Sequence, residues 1–511
     1  MLLMDPRGRA LVPLELFRDA ADRFGFVLLS SYNTLSDADS AYAVNDRALA
    51  AMLADAQTRF SVDPKRLYLV GFSGTAHWAW TAAPRLDGKL AGIMGAGGGL
   101  PAYLDPMQRA LGVLYPFAFF GTAGSSDFNF DGVRLLDQAL DSTRFAHRFI
   151  AHDGDHGWPP KPVAEAAVEW FHLQAMSAGL EPRDESFIGD ARRRHLTEAA
   201  DLESSDRKAD AYRRYREIVQ DFAGLGGSPE ARKRFDKLDG DGSVERALAR
   251  RVDFARDVQK YKLEVRDFYL DYRESREAPS LESALRKLRI EKLKKQAESD
   301  DIEKAAAAKR MLAGAFVNTA FYEPRDYFQN EDFVRAMGML QIANAIQPDT
   351  PRVCYQIARA AAQLGSMDEA FKALACGLKA EWATKDLVDA DDLLEPLRAD
   401  PRYGELIRLL PRQEHHPGFR RIRRVNDRDV DSGTEFGCVE GHAVPPCVLR
   451  GVAKPPDLHP KGIEHGYGDV TSIRKAVLQN RCRIERIGVI LPQSNCSRDL
   501  VSLLAFSQSG R

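Results

Sequence analysis

The stretch LYLVGFSGTAHWAW, residues Leu67–Trp80, decides the fold of this chain. Its first residues form a continuous apolar run, which is typical of a strand buried on both faces of a parallel sheet. The turn Gly71-Phe72-Ser73-Gly74 follows, and a helical pattern begins after it. A serine on such a strand-to-helix turn is held in a strained conformation that exposes its hydroxyl above the sheet. The stretch predicts an α/β sheet with Ser73 as a candidate nucleophile on a nucleophile elbow.

Thr75 departs from the G-x-S-x-G pattern of such turns. The usual glycine lets the helix pack closely on the strand, whereas threonine adds bulk that only a small facing residue accommodates. We expect the turn to have adapted, because Gly71, Gly74 and Ala76 keep the rest of it small. On this interpretation, replacing Thr75 with glycine lowers stability by about 1 kcal/mol and changes activity little.

Apolar runs alternate with helical patterns on both sides of the opening stretch. The predicted strands are FGFVLLSSYN, RLYLVGFSG, LAGIMGAGG, YPFAFFGT and HRFIAH, with MLLM at the N-terminus as the end of a further strand. Continuous apolar strands separated by helices indicate a mostly parallel sheet with helices on both faces. Residues 1–180 are therefore predicted to form an open α/β domain.

Two loops after later strands carry the partners that a nucleophilic serine needs, a general base and a carboxylate that orients it. AGSSDFNFDG offers Asp127 and Asp131, and DGDHGWPP offers His156. The order serine, acid, histidine is the order found in α/β hydrolases. We predict a catalytic triad of Ser73, Asp127 and His156, with Asp131 as the rival acid and His152 as the rival base.

Five segments resemble the α/β-hydrolase family that contains polyhydroxybutyrate-depolymerase-like and feruloyl-esterase-like enzymes. They are DPRGRALVPLELF, SYNT, VDPKRLYLVGFSG, SSDFNF and DGDHGWPP. The resemblance covers Met1–Leu180 and implies an α/β-hydrolase sheet and a serine esterase with the same three catalytic residues. It also implies an oxyanion hole in which the amide of Gly74 acts with an amide of the Asp5–Arg9 loop, at Arg7 or Gly8.

Four further side chains are expected near the serine. The expected substrate-binding residues are His77, Trp78, Phe128 and Trp158. The aromatic rings would shape an apolar acyl or aryl pocket, although packing is an equal alternative for Trp158. This chemistry needs no metal ion and no organic cofactor.

The remaining chain divides into three regions. Residues 181–325 have helical periodicity, and residues 326–410 contain a repeat-like segment. Residues 411–511 show neither the helical nor the strand periodicity of a core, so they are left unassigned, with disorder as one interpretation. RVCYQIARAAAQLGSMDEAFKALACGLKA resembles a tetratricopeptide repeat, and LLEPLRADPRYGELIRLL resembles the helix that closes such arrays. An unrelated helical hairpin is the alternative. The resemblance implies a surface that binds a protein or peptide partner.

Composition excludes several classes of protein. The chain has 72 basic and 74 acidic residues, so no global charge favours nucleic acid or a membrane surface as partner. No apolar run of about 18 residues predicts a membrane span. The six cysteines contain no C-x-x-C pair, and a disulfide framework is not expected.

The N-terminus MLLMDPRGRA reaches Asp5 too early for a secretory signal, which indicates a cytoplasmic protein for the chain as written. Members of the resembled family have strands before the one that MLLM ends. We expect these strands to be missing here, and a missing start leaves a secreted or periplasmic location open.

The sequence as a whole predicts a serine hydrolase that cleaves a small-molecule or polymeric carboxylic ester, with a helical repeat domain for partner binding. The alternative is a scaffold in which the hydrolase domain is degenerate and the helical array binds proteins. Thr75 and the expected absence of the early strands motivate this alternative. A peptidase of the same fold is a third hypothesis.

Overall fold

The computed structural model of the protein describes residues 1–408 except 37–39, 87, 101–116, 142, 144 and 381–383. The described residues belong to one compact unit, Met1–Arg424. A second unit, Val425–Arg511, lies outside the described residues. The predicted unassigned tail, residues 411–511, therefore lies outside them as well.

A six-stranded sheet forms the centre of the N-terminal region, and all of its strands are parallel. The strands are β1 (Leu2–Met4), β2 (Leu29–Ser30), β3 (Leu67–Phe72), β4 (Leu90–Ala96), β5 (Ala118–Gly124) and β6 (His147–His152). Their spatial order is β2-β1-β3-β4-β5-β6. The prediction of a parallel α/β sheet is confirmed.

Helices cover both faces of this sheet. They are α1 (Leu11–Phe24), α2 (Ala41–Arg59), α3 (Gly74–Ala82), α4 (Phe130–Leu140) and α5 (Lys161–Ser177), and a 3-10 turn, Ala83–Leu86, extends α3. Because side chains alternate along a strand, Leu69 and Phe119 pack with α2, α3 and α4, whereas Val70 and Phe120 pack with α1 and α5. Both faces are apolar, so the strands are continuous apolar runs.

The direction of the chain across the sheet reverses between β1 and β3. After β1 the chain adds β2 at the edge, returns across β1 to β3, and then adds each later strand on the other side. In open α/β sheets, ligands bind outside the carboxyl ends of the strands at such a switch point. The loops that follow Met4 and Phe72 flank it.

The chain after residue 180 is helical throughout its described part. The helices are α6 (Glu185–Ser204), α7 (Lys208–Asp221), α8 (Pro229–Asp239), α9 (Gly242–Glu274), α10 (Leu281–Lys287), α11 (Ile290–Ala297), α12 (Ile302–Val317), α13 (Glu323–Gln329), α14 (Phe333–Ile346), α15 (Pro351–Gln363), α16 (Met367–Gly377), α17 (Lys385–Asp389), α18 (Glu395–Arg398) and α19 (Arg402–Arg408). Short 3-10 turns occur at Ala223–Leu225 and Asp392–Leu394, and a π-helical turn at Asn318–Tyr322. Aspartate side chains accept hydrogen bonds from first-turn amides at the N-termini of α6, α9, α12 and α14, which fixes where these helices begin.

The sheet region and the first helices after it share one core. Leu173 of α5 packs in a buried cluster with Tyr215 of α7. The buried Asp221 carboxylate accepts a hydrogen bond from Trp170 Nε1 at 2.6 Å and also pairs with Arg148 of β6. Removing one partner of a buried ion pair typically costs about 3–5 kcal/mol. The boundary expected at residue 180 therefore does not separate two independent cores.

Helices α15 and α16 form a closely packed antiparallel hairpin where the sequence resembles a tetratricopeptide repeat. Its buried contacts include Ala358, Ala361 and Ala370, whose small side chains allow the close approach. A disulfide joins Cys354 to Cys376 across the hairpin. The cysteine spacing gave no reason to expect this bond, because the two residues meet only when the helices pack.

No helix among the described residues is long and apolar enough to cross a membrane. This finding agrees with the sequence, which predicts no membrane span.

Candidate active site

Ser73 occupies the turn between β3 and α3 in a strained conformation. Its φ and ψ angles are 55° and −123°, a region that a residue with a side chain rarely adopts. Its amide donates to the Ala96 carbonyl at 2.8 Å, and its carbonyl accepts from Ala76 and His77. Such strain costs about 1–3 kcal/mol and persists only where the surrounding structure enforces it. The turn therefore holds the serine hydroxyl at the carboxyl edge of the sheet.

Ser73 begins a row of three hydrogen-bonded side chains. Its Oγ lies 2.9 Å from His156 Nε2, in the loop after β6. On the other side of the ring, His156 Nδ1 lies 2.9 Å from both carboxylate oxygens of Asp127, in the loop after β5. The Asp127 side chain is fully buried. In the tautomer that this carboxylate favours, Nδ1 donates to Asp127 and Nε2 is free to accept from the serine.

Aromatic rings and a glycine hold the imidazole in place. The His156 ring centroid lies 4.7 Å from that of Phe72 and 4.3 Å from that of Phe128. Gly97 has a φ of 55°, and a Cβ there would lie 2.7 Å from Asp127 Oδ2 and 3.0 Å from the imidazole. Only glycine fits at this position, so the loop after β4 packs directly against the histidine–aspartate pair.

The rival acid and the rival base have other partners. Asp131 is completely buried and pairs with Arg134 at 2.9 Å and Arg310 at 2.7 Å. His152 Nδ1 lies 3.0 Å from the Asp153 carbonyl oxygen. The structure thus brings together Ser73, Asp127 and His156, and it places Asp131 in a separate ionic cluster.

The backbone amides of the expected oxyanion loop are hydrogen-bonded to Asp5, which belongs to the same loop. Asp5 Oδ1 accepts the amides of Arg7 at 2.9 Å and Arg9 at 3.2 Å, and the Asp5 carbonyl accepts the amide of Gly8 at 3.1 Å. Burial opposes ionisation of Asp5, but the hydrogen bonds from Arg9, Trp158 and the two amides outweigh it and hold its pKa below the ordinary value. The amides of Arg7 and Gly8 are therefore already bonded within their own loop, which gives no support to the expectation that one of them donates to an oxyanion.

The amide of Gly74 remains available. Gly74 is the first residue of α3, and within the described part of the chain its N–H has no hydrogen-bond acceptor. The loop after β2 covers this position, because a Cβ on Gly74 would lie 2.4 Å from the Cβ of Ser36. Ser36 was not identified from the sequence.

Thr75 has a structural role that accounts for its departure from the common pattern. It is fully buried. Its Oγ1 lies 2.5 Å from the Met4 carbonyl oxygen and 2.9 Å from that of Phe72, and it accepts the Phe72 amide at 3.0 Å. The hydroxyl therefore ties the end of β1 to the turn after β3, across the switch point of the sheet.

We expect Thr75→Val to lower the free energy of unfolding by about 1–3 kcal/mol, because valine keeps the shape but leaves buried backbone groups of Met4 and Phe72 without the hydroxyl. Denaturant unfolding measures this loss. Thr81→Val is the matched control, since the Thr81 hydroxyl makes only a local bond to Trp78 in the same helix. Equal stability of the two variants would refute the role given to Thr75.

The four expected pocket residues divide into two groups. Trp78 is completely buried and donates to Asp46 at 2.9 Å, so the expectation that it lines a pocket is wrong. Trp158 donates to Asp5 Oδ2 at 2.9 Å and packs between the rings of Phe17 and Phe72, which is the packing alternative.

The other two lie close to the row of Ser73, His156 and Asp127. The Phe128 ring lies against the His156 ring at an interplanar angle of 38°. His77 Nδ1 lies 2.6 Å from the Gly99 carbonyl oxygen, so Nδ1 carries the proton. Burial lowers the pKa of His77, although its hydrogen bond to the Gly99 carbonyl opposes this shift.

The helical region also reaches this site, which the sequence did not indicate. Arg310 of α12 donates to the Ser125 carbonyl at 3.2 Å, in the loop that carries Asp127. A Cβ on Gly314, one turn further along α12, would lie 3.8 Å from Phe128. These contacts join residues about 185 positions apart, and no local motif encodes them.

A separate cavity of about 340 Å³ lies at the opposite, amino edge of the sheet. Apolar residues such as Phe26 and Leu53 line it together with Arg66. Its lining contains no histidine. This cavity therefore offers no imidazole base.

No family model matches this chain, and a comparison with curated proteins finds no similar sequence. A function for the chain therefore depends on the geometry of the site.

Proposed function

We propose that the protein is a serine hydrolase that cleaves carboxylic esters through an acyl-enzyme. The observation that carries the proposal is the row Ser73–His156–Asp127, whose members are joined by 2.9 Å hydrogen bonds. The serine in this row has a positive φ angle. His156 accepts the serine proton as Oγ attacks the ester carbonyl, and Asp127 stabilises the imidazolium that forms. His156 then protonates the leaving alcohol, and water releases the acyl group by the reverse sequence.

The developing oxyanion needs donors that are already in place. The unpaired amide of Gly74 at the N-terminus of α3 meets this requirement, and the helix dipole adds to it. Since the amides of the Asp5–Arg9 loop are engaged by Asp5, that loop instead positions Trp158 against Phe72. Neither step requires a metal ion or an organic cofactor.

The same observations support an α/β-hydrolase fold for residues 1–180. The nucleophile follows β3, the acid β5 and the histidine β6, which is the chain order of that superfamily. The resemblance to polyhydroxybutyrate-depolymerase-like and feruloyl-esterase-like enzymes agrees with this order. The hairpin of α15 and α16 is proposed to be a tetratricopeptide-like element for a protein or peptide partner.

A degenerate scaffold is the alternative function, and the conformation of Ser73 counts against it. A turn that no longer served catalysis would gain about 1–3 kcal/mol by relaxing its positive φ angle. Thr75 was one reason for this alternative. Its hydroxyl bonds to the Met4 carbonyl and the Phe72 amide, so the threonine is accommodated in the turn and Gly74 stays at the start of α3. Nothing in the site favours a peptidase over an esterase.

We expect a fluorophosphonate probe to label the native protein at Ser73, because only an activated serine attacks the probe at a useful rate. The tryptic peptide 67–85, LYLVGFSGTAHWAWTAAPR, contains Ser73 as its single serine, so mass spectrometry assigns the site without ambiguity. Ser73→Ala and heat-denatured wild type are the controls. A native protein that takes no label would support the scaffold instead, and a label on another peptide would refute Ser73 as the nucleophile.

A further inference from the structure

Three groups that commonly bind metal ions meet at one end of the hairpin of α15 and α16. Asp349 lies in the turn before α15, Cys354 lies near the start of α15, and Cys376 lies in the last turn of α16. The two sulfur atoms and a carboxylate oxygen of Asp349 all lie within 4.8 Å of one another. The cluster therefore joins both helices of the hairpin to the turn that precedes them.

The backbone of the hairpin suits the two cysteines in the reduced state as well as in the disulfide. Their Cα atoms are 5.7 Å apart. Cys376 Sγ also lies 3.6 Å from the Asp349 carbonyl oxygen, to which a thiol can donate and a disulfide sulfur cannot. Cys354 stands close to the N-terminus of α15, and the positive end of a helix favours a thiolate over a thiol. Reduction thus leaves two potential thiolates beside a carboxylate.

The carboxylate is held in place and is open to solvent. Asp349 has a φ of 54°, in the left-handed region, and its amide donates to Asn344 Oδ1 at 3.1 Å. The Asp349 side chain is exposed, Cys376 is half-buried, and Cys354 is buried. A cation can therefore reach the two sulfur atoms from the side of Asp349, and water can remain on its outer side.

We propose that Asp349, Cys354 and Cys376 form a binding site for Zn²⁺ that becomes available once a thiol or phosphine reductant has reduced the disulfide. Two electrons from the reductant and two protons convert the S–S bond into two thiols, and Zn²⁺ then displaces both thiol protons to the solvent. Thiolate and carboxylate are ligands that zinc takes in tetrahedral sites, with water in the fourth position. The metal replaces the disulfide as the cross-link between α15 and α16. The site shares no residue with the serine site, so the proposal does not rest on the esterase function.

The test measures how fast each cysteine of the native full-length chain reacts with iodoacetamide, after reduction with tris(2-carboxyethyl)phosphine and removal of the phosphine. Trypsin releases the two cysteines on separate peptides, VCYQIAR (353–359) and ALACGLK (373–379), so mass spectrometry reads each of them apart from the other four cysteines. We expect Zn²⁺ to slow alkylation of both peptides by about tenfold or more, because the thiolate that attacks the reagent is also the metal ligand. EDTA should restore both rates, which separates bound zinc from a disulfide that has formed again.

Asp349→Asn is the variant that tests the third ligand, since asparagine tolerates the same left-handed backbone. We expect it to raise the zinc concentration that gives half-maximal protection about tenfold. Glu369→Gln, which removes an exposed carboxylate from α16, is the matched control and should leave this concentration unchanged. Alkylation that zinc does not slow, protection of one peptide only, or equal protection in Asp349→Asn and wild type would each overturn the proposal.

Discussion

Ser73→Ala is expected to lower kcat for p-nitrophenyl butyrate by about 10⁶-fold, because loss of a triad nucleophile removes the covalent route altogether. A residual acceleration of about 10³–10⁴ over water should remain from the oxyanion donor and from binding. Steady-state kinetics with freshly purified enzyme measures both values. The alanine keeps the backbone of the turn, so the midpoint of denaturant unfolding should move little.

Ser36→Ala is the matched control for this experiment. Ser36 lies against Gly74, within the same site, but no base is bonded to its hydroxyl among the described residues. We expect its kcat to stay within about tenfold of wild type. If Ser73→Ala retained activity within a few-fold of wild type, the nucleophile would have to be another group and the proposed mechanism would fail.

The sheet was predictable from sequence because its evidence is local. Each strand is a continuous apolar run, and buried parallel strands need side chains that suit both faces. The meeting of the candidate serine, acid and histidine at one edge of the sheet was predictable for a related reason. Parallel strands end at one edge, so residues that follow β3, β5 and β6 must lie close together whatever the helices between them do.

The features that sequence reasoning missed depend on contacts between distant residues. Asp5 could be named as part of a loop, but the number of amides it binds follows only from the shape of the turn. A tryptophan close to the serine in sequence can line a pocket or pack in the core. Only the packing of the fold shows that Trp78 is buried in the core. Arg310 reaches the loop of Asp127 from a helix that no motif connects to it.

The second large effect is expected for Asp127→Asn, which should lower kcat about 10⁴-fold. The asparagine amide can donate to Nδ1 of His156, which favours the tautomer whose Nε2 carries a proton and cannot accept from Ser73. The geometry of the row should survive, because the Asn129 amide still finds an oxygen acceptor at position 127. Unfolding should therefore change little while turnover nearly stops.

Asp131→Asn is the control that separates catalysis from folding. Asp131 is equally buried, four residues away, but its carboxylate neutralises Arg134 and Arg310, and loss of that charge leaves both guanidinium groups in a buried site. We expect Asp131→Asn to lower the free energy of unfolding by about 3–5 kcal/mol and to reduce the fraction of molecules that a fluorophosphonate titrates. The kcat per titrated site should stay within about tenfold of wild type, because no member of the catalytic row is altered. A lower kcat per titrated site in Asp131→Asn than in Asp127→Asn would reverse the assignment of the acid, since only the true triad carboxylate acts on turnover independently of stability.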